Sequence, residues 1–319
     1  MATDFGNGPS PEGQSGPDYS LSSTGLVSRT LSLWTSKLLP YIIMIGGILV
    51  MYTIVEVVVS SFILGASAEG YSSTFGSYFT QLVYWLLYPG EVSESFGYVM
   101  MVSTIFLFIG LIVITVVVGA TIKYALDQYT EGNEDIGSSL SFSFSKFIPM
   151  FLIIAIINLL FGLLVAPGAA ISQRALELVD ITDPYSMVGI EKLLTGMVLT
   201  LGLSIPLLYI AVRLAPAFAV LIAEDVSPTE ALNRAFRLTS GNFMHVFVGW
   251  ALIYIVNFFI DFAINIFTIA FMGLNLLSTI IYSMIVLLIT SPITYIFFTV
   301  LYKDLESRSG ASASMQAYW

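Results

Sequence analysis

"ALNRAFRLTSGNFMHVFVGW", Ala231 to Trp250, decides how the rest of the chain reads. Its first half sets Asn233, Arg234 and Arg237 among Ala231, Leu232, Ala235, Phe236 and Leu238, the pattern of a short amphipathic helix. Thr239 to Asn242 interrupt that pattern, and a long apolar run begins at Phe243. A basic amphipathic segment, a break and an apolar run together form a lead-in to a membrane span.

The composition agrees with that reading. Of 319 residues, 57% are hydrophobic and only 10% are charged, with mean hydropathy +0.90. A water-soluble protein of this size carries roughly 25% charged residues, so this chain is expected to be an integral membrane protein. It has no cysteine, which excludes disulfides, thiolate chemistry and cysteine metal sites. With a single histidine, His245, most histidine-dependent metal and catalytic sites fall away as well. Cofactors are expected to be absent.

Six apolar runs are legible, at Leu39–Leu64, Gly97–Ile122, Phe147–Ala166, Leu193–Ala223, Phe243–Phe271 and Leu274–Tyr302. Each is near or above the ~20 residues that cross ~30 Å of hydrocarbon as a helix. They are continuous and do not alternate, which favours helices over a β-barrel. Pro206 and Pro216 are expected to kink the fourth. The fold class is therefore an all-α polytopic membrane protein.

Arg29, Lys37, Lys123, Lys146, Arg234, Arg237, Lys303 and Arg308 fall on one side of the spans. Arg174 and Lys192 fall on the other, among Glu69, Glu91, Glu94, Glu177, Asp180, Asp183 and Glu191. The positive-inside rule places both termini in the cytoplasm of a cell-membrane, multi-pass protein. The net charge of −10 thus belongs largely to the outer loops and the N-terminal tail. No basic patch or stacking platform for nucleic acid is present.

The lead-in segment recurs. "SRTLSLWTSKLLPYIIMI" (Ser28 to Ile45) and "GSSLSFSFSKFIPMFLII" (Gly137 to Ile154) align with the opening stretch, placing Lys37, Lys146 and Asn242 at one position. Each copy leads into two spans, whose ends read "YALDQ", "LIAED" and "LYKDL". The expected unit is one interfacial amphipathic helix plus two spans, repeated three times over about 26–127, 136–225 and 230–304. Residues 1–25 read as a solvated tail, 26–305 as the membrane domain and 306–319 as a short tail. Ser36 and Ser145 stand where they can cap the next helix. The basic residues Arg29, Lys37, Lys146, Arg234 and Arg237 either anchor the topology or form a collar that meets lipid headgroups or a partner.

"AEDVSPTEALNRAFRLTSGNF" and "VLYKDLESRSG" (Val300–Gly310) resemble the hallmarks of an uncharacterised prokaryotic six-span family. That family is related to the membrane domain of certain glycerophosphodiester phosphodiesterases. The resemblance, best across Ile222–Gly310, implies a fold and a topology. Only "ASASMQAYW" follows Gly310, so phosphodiesterase activity is not expected, and the resemblance supplies no catalytic residues.

Three charges fall inside the apolar runs: Glu56, Arg213 and Asp261. Glu56 and Asp261 occupy one repeat position, and Ser60 and Asn265 follow one turn on, with Asn257 extending the same face. Counted from Lys37, Glu56 lies ~28 Å deep, and counted from Asp225, Arg213 lies ~18 Å deep. The expectation is a Glu56–Arg213–Asp261 cluster in the outer half of the bundle, which serves either packing or a proton- or cation-coupled step.

Lesser features are the aromatic "SYFTQLVYWLLYPG" (Ser77–Gly90), expected along the outer interface, and "SQRALELVD" (Ser172–Asp180), expected as a separate outer helix. His245 enters the fifth span either hydrogen-bonded at headgroup level or as a proton relay. No phosphate-binding glycine loop, HExxH, GxSxG or triad signature is present. Two function classes follow. One is a non-catalytic scaffold or accessory subunit of a membrane complex or homo-oligomer. The other is a transporter or channel along the pseudo-symmetry axis.

Overall fold

The computed structural model describes residues 19–64, 75–89, 96–178, 187–273 and 276–316. The chain is all-α, and among the described residues six helices are long and apolar enough to cross a membrane. In chain order the helices are α1 (Ser23–Ser36), α2 (Leu38–Leu64), α3 (Phe75–Leu87), α4 (Phe96–Thr130), α5 (Ile136–Ser145), α6 (Phe147–Leu178), α7 (Met187–Leu214), α8 (Ala217–Glu224), α9 (Pro228–Thr239), α10 (Phe243–Met272) and α11 (Leu276–Gln316).

The helix ends follow from local chemistry. Ser22, Asp135 and Ser227 cap α1, α5 and α9 by accepting from the amides of Gly25, Ser138 and Glu230. Pro228 opens α9 at a position where its missing N–H costs nothing. The fourth apolar run breaks between Leu214 and Ala217, at Pro216 as expected, whereas Pro206 stays inside α7. Asp225 ends α8 in the left-handed region, φ 51°, and turns the chain so that α9 folds back along α8. Ser36 and Ser145 do not cap the helices that follow them. Their hydroxyls donate backwards to Leu33 and Phe142, satisfying carbonyls at the ends of α1 and α5.

α4 lies at the centre and touches α1, α2, α3, α5, α6, α8 and α11. At 35 residues it is ~52 Å long, and α11 at 41 residues is ~62 Å long, so both outreach a ~30 Å hydrocarbon layer. Their extra length stands at the end that carries most of the lysine and arginine, here called the basic end. Tyr41, Tyr302 and Phe297, the largest fully buried side chains, pack into one cluster that runs from the spans into this end.

One expected element differs, and a second is seen in its packing. α6 runs unbroken through Pro167 to Leu178, so Ser172–Leu178 extends a span and is not a separate helix; Val179 and Asp180 lie outside the described residues. α3 packs along α6 and α4, buries Tyr84 and receives a hydrogen bond from Thr104 at the Tyr78 hydroxyl. Trp85 and Leu86 remain exposed on its other side.

Candidate functional site

At the basic end the three short helices α5, α9 and α1 each lie on an element that precedes them in a cyclic order. α5 lies on α4, α9 on α8 with α7 and α6, and α1 on α11 with α10. Their inward residues are Leu26, Thr30 and Leu33 from α1, Ser139 and Ser143 from α5, and Ala231, Ala235 and Leu238 from α9, all buried. The sequence suggested that acyl chains cover these faces. Protein covers them instead, because the extensions of α4, α8 and α11 offer apolar surface that binds them more fully than an interface does.

Side chains tie the helix ends together at three places. Lys37, between α1 and α2, pairs with Glu134 beyond α4 at 2.6 Å. Beside it Tyr41 donates to Gln128 at 2.7 Å, and Gln128 donates to the Leu33 carbonyl and the Ser36 hydroxyl. Lys146, between α5 and α6, pairs with Asp225 at the end of α8. The third tie joins α10 to α11, with His245 Nε2 to Asp304 at 2.8 Å.

The third tie is the most elaborate. Asp304 is wholly buried. It accepts from His245, from Arg308 Nε at 3.0 Å and from the Leu21 amide at 2.7 Å. Arg308 also donates to the Leu21 carbonyl. Ser23 at the start of α1 lies 3.0 Å from His245 Nδ1. In a neutral imidazole whose Nε2–H faces the carboxylate, Nδ1 accepts from the Ser23 hydroxyl. A serine–histidine–aspartate line is thus assembled, which no sequence motif announced. Its aspartate is already engaged by Arg308 and a backbone amide, and the line fastens the segment before α1 to α10 and α11. His245 is the hydrogen-bonded histidine that was one of its two expected roles.

Of the five basic residues expected at headgroups or a partner, Lys37 and Lys146 are paired as above, and Arg234 pairs with Glu224 at 3.3 Å. Glu224 also accepts from Tyr302 of α11. Arg29 is exposed, with its guanidinium 4.8 Å from the ring of Tyr129. Arg237 is exposed on the outer face of α9, beside Thr229, Glu230 and Asn233, which line a shallow depression with it.

Lys37 and Glu134 set a pH window. The hydrogen bond from Lys37 holds the Glu134 carboxyl below the usual carboxylate range, and the same bond raises Lys37 above the usual amine range. A depressed carboxyl stabilises the fold above its unfolded pKa and loses that contribution as pH falls through its folded pKa. A raised lysine contributes below its unfolded pKa and loses that contribution as pH climbs through its folded one. The tie is therefore complete at neutral pH and lost at both extremes. Glu134→Gln is expected to lower the thermal unfolding midpoint modestly at neutral pH. Repeating the melts in acid, below the folded pKa of Glu134, should bring variant and parent together.

The expected Glu56–Arg213–Asp261 cluster does not form. Arg213 turns to the basic end. It donates to the Tyr209 hydroxyl at 3.0 Å, to the Phe236 carbonyl and to Thr239 at the end of α9, and lies 5.8 Å from the ring of Phe243. Asp261 lies ~27 Å farther along α10 from Phe243. The ~18 Å depth assigned to Arg213 assumed a straight helix ending at the interface. The break at Pro216 and the α8–α9 hairpin beyond it put Arg213 near the start of α10. There it donates to a carbonyl in the last turn of α9 and is favoured by the negative end of that helix.

Glu56 lies at a similar depth in α2, partly buried, with no ion pair among the described residues. α2 and α10 both pack on α11, which separates the two acids. Asn257 is 8% exposed and donates to Thr294 at 3.1 Å. Asn265 is partly buried two turns on, and the Ser60 side chain lies outside the described residues. Among the described residues no group of three or more histidines or carboxylates is placed to hold a metal ion. No protein-family model, curated protein or solved structure matches the chain.

Proposed function

We propose that the protein is a non-catalytic scaffold or accessory subunit of the cell membrane, with both termini cytoplasmic. In this reading the cyclic collar of α1, α5 and α9 is its docking element. The observation that carries the reading is the closure of the collar by the three ties. Such ties fix a rigid surface, while Arg29 and the Glu230–Asn233–Arg237 face of α9 stay open for a partner or lipid headgroups. The threefold recurrence of the lead-in segment and the resemblance over Ile222–Gly310 support the same architecture. A preformed surface binds with less ordering cost than a flexible one.

Native mass spectrometry of the protein, gently extracted from its own membrane, tests this. A protein partner at fixed stoichiometry, lost on Arg237→Glu, is the expected result. A solitary chain with an unchanged spectrum in Arg237→Glu counts against it.

A second reading, passage of a small solute, ion or lipid through the bundle, is favoured by one feature. A cavity of about 470 Å³ opens where α2, α4, α6, α8 and α11 meet. Its walls are mostly apolar, with Tyr52, Asn158 and Tyr295 as polar points. That volume lies within the ~300–1,000 Å³ of small-molecule sites. A defined small molecule in the same native spectrum is the result this reading expects.

A further inference from the structure

Two acceptors on α10 lack a donor. Asn257 Oδ1 and Asp261 Oδ1 are both shut off from solvent and have no hydrogen-bond partner. They belong to residues four apart, which neighbour each other on one helix face. Three donors on α10 and α11 are already engaged. One N–H of the Asn257 amide goes to Thr294 Oγ1, Thr294 donates to the Thr290 carbonyl, and Thr290 donates to the Val286 carbonyl.

Nor does a fixed charge complete the pair. The helices packed on α10 are α11, α1 and α7. From α11 come the hydroxyls of Thr290 and Thr294, with Tyr295 as the titratable group of that stretch. α1 meets α10 at its basic end, where Ser23 reaches His245. On α7, Arg213 is engaged by Tyr209, Phe236 and Thr239, and Glu191 and Lys192 stand in the first turns at its other end. An ionised carboxylate left without donors inside a span is strongly disfavoured, and so is an orphaned amide oxygen.

We propose that Asp261 holds a proton in the folded protein and donates it to Asn257 Oδ1, making the α10–α11 groove a proton-binding site. A single proton, taken up from water, accounts for both orphans. It converts one Asp261 oxygen from acceptor to donor and gives Asn257 the partner it lacks. The Asp261 residue is only partly buried, so the proton can exchange. The inference stands apart from the collar and does not depend on it.

Infrared difference spectroscopy of the reconstituted protein at neutral pH tests it. The parent should show a protonated-carboxyl C=O stretch that Asp261→Asn removes. Asn257→Leu, close in size, should leave that band present and move it to the higher frequency of a carboxyl with no acceptor. Loss of carboxylate bands in Asp261→Asn, with no protonated band in the parent, overturns the proposal. That result means that an ionised Asp261 is met by the reversed amide or by a metal cation, and sodium dependence of the bands distinguishes the two. A protonated band unmoved by Asn257→Leu overturns it also. If Asp261→Asn fails to fold, the presence of the band and its response to Asn257→Leu decide the matter.

Discussion

Asp304→Ala should be the most damaging single side-chain truncation in the molecule, at about 3–5 kcal/mol, the cost of breaking a buried charged pair by removing one partner. The carboxylate is fully enclosed, and three groups converge on it: the Leu21 amide, His245 Nε2 and Arg308 Nε. Removing it takes the carboxylate away from Arg308 Nε, His245 and the Leu21 amide and frees the segment leading into α1. Part of the damage comes from the loss of the Asp304–Arg308 pair, whose coupling a second variant isolates. In Asp304→Ala/Arg308→Leu both members of the pair are gone, so the double variant should lose less than the two single losses added. Thermal unfolding in one detergent, followed by tryptophan fluorescence, measures both. A double variant whose loss equals the sum of the two single losses refutes the coupling. Ser23→Ala, which removes only the outermost hydrogen bond of the same line, should cost about 1 kcal/mol.

The six spans are legible because hydrocarbon imposes a simple rule on length and composition, and Gly97–Ile122 or Phe243–Phe271 satisfies it without help from any distant residue. The lead-in helices are legible for a similar local reason, a 3.6-residue period that breaks just before each apolar run. What covers them is not local. Leu26 and Leu33 look the same in sequence whether acyl chains or α11 lie against them, and only the added length of α4 and α11 decides the matter. The charge cluster fails for a related reason. Depth was counted from Asp225 as if it marked the interface, but a three-residue turn after α8 sends α9 back along it, and Arg213 meets Phe236 and Thr239. Asp304 had no signal of its own, since its partners come from positions 21, 245 and 308. Gly168-x-x-x-Ser172 and Gly196-x-x-x-Thr200 did carry a signal, that of small residues one turn apart at a close helix crossing.

That crossing supports the second large prediction. Gly168 on α6 and Gly196 on α7 face each other so closely that neither tolerates a side chain. A Cβ at Gly168 falls 2.7 Å from the Thr200 amide nitrogen and 2.9 Å from the Gly196 carbonyl oxygen. A Cβ at Gly196 falls 2.7 Å from the Ser172 amide nitrogen and 2.9 Å from the Gly168 carbonyl oxygen. The obstacles are backbone atoms, so no rotamer change relieves them and the two helices must part. The hydroxyls of Ser172 and Thr200 fold back onto the Gly168 and Gly196 carbonyls, keeping those side chains compact at the same crossing. Gly168→Ala and Gly196→Ala should each cost about 1–3 kcal/mol, and Gly196→Leu more. Once one methyl has separated the helices the second meets less resistance, so the double alanine variant should lose less than the two single losses added. Gly202 supplies the control on the same helix, for nothing lies within 4 Å of a Cβ placed there. Gly202→Ala should be neutral or slightly stabilising, because alanine favours a helix over glycine by up to about 1 kcal/mol. Equal effects at positions 196 and 202 imply that α6 and α7 do not meet this closely, and that helix propensity alone governs both sites.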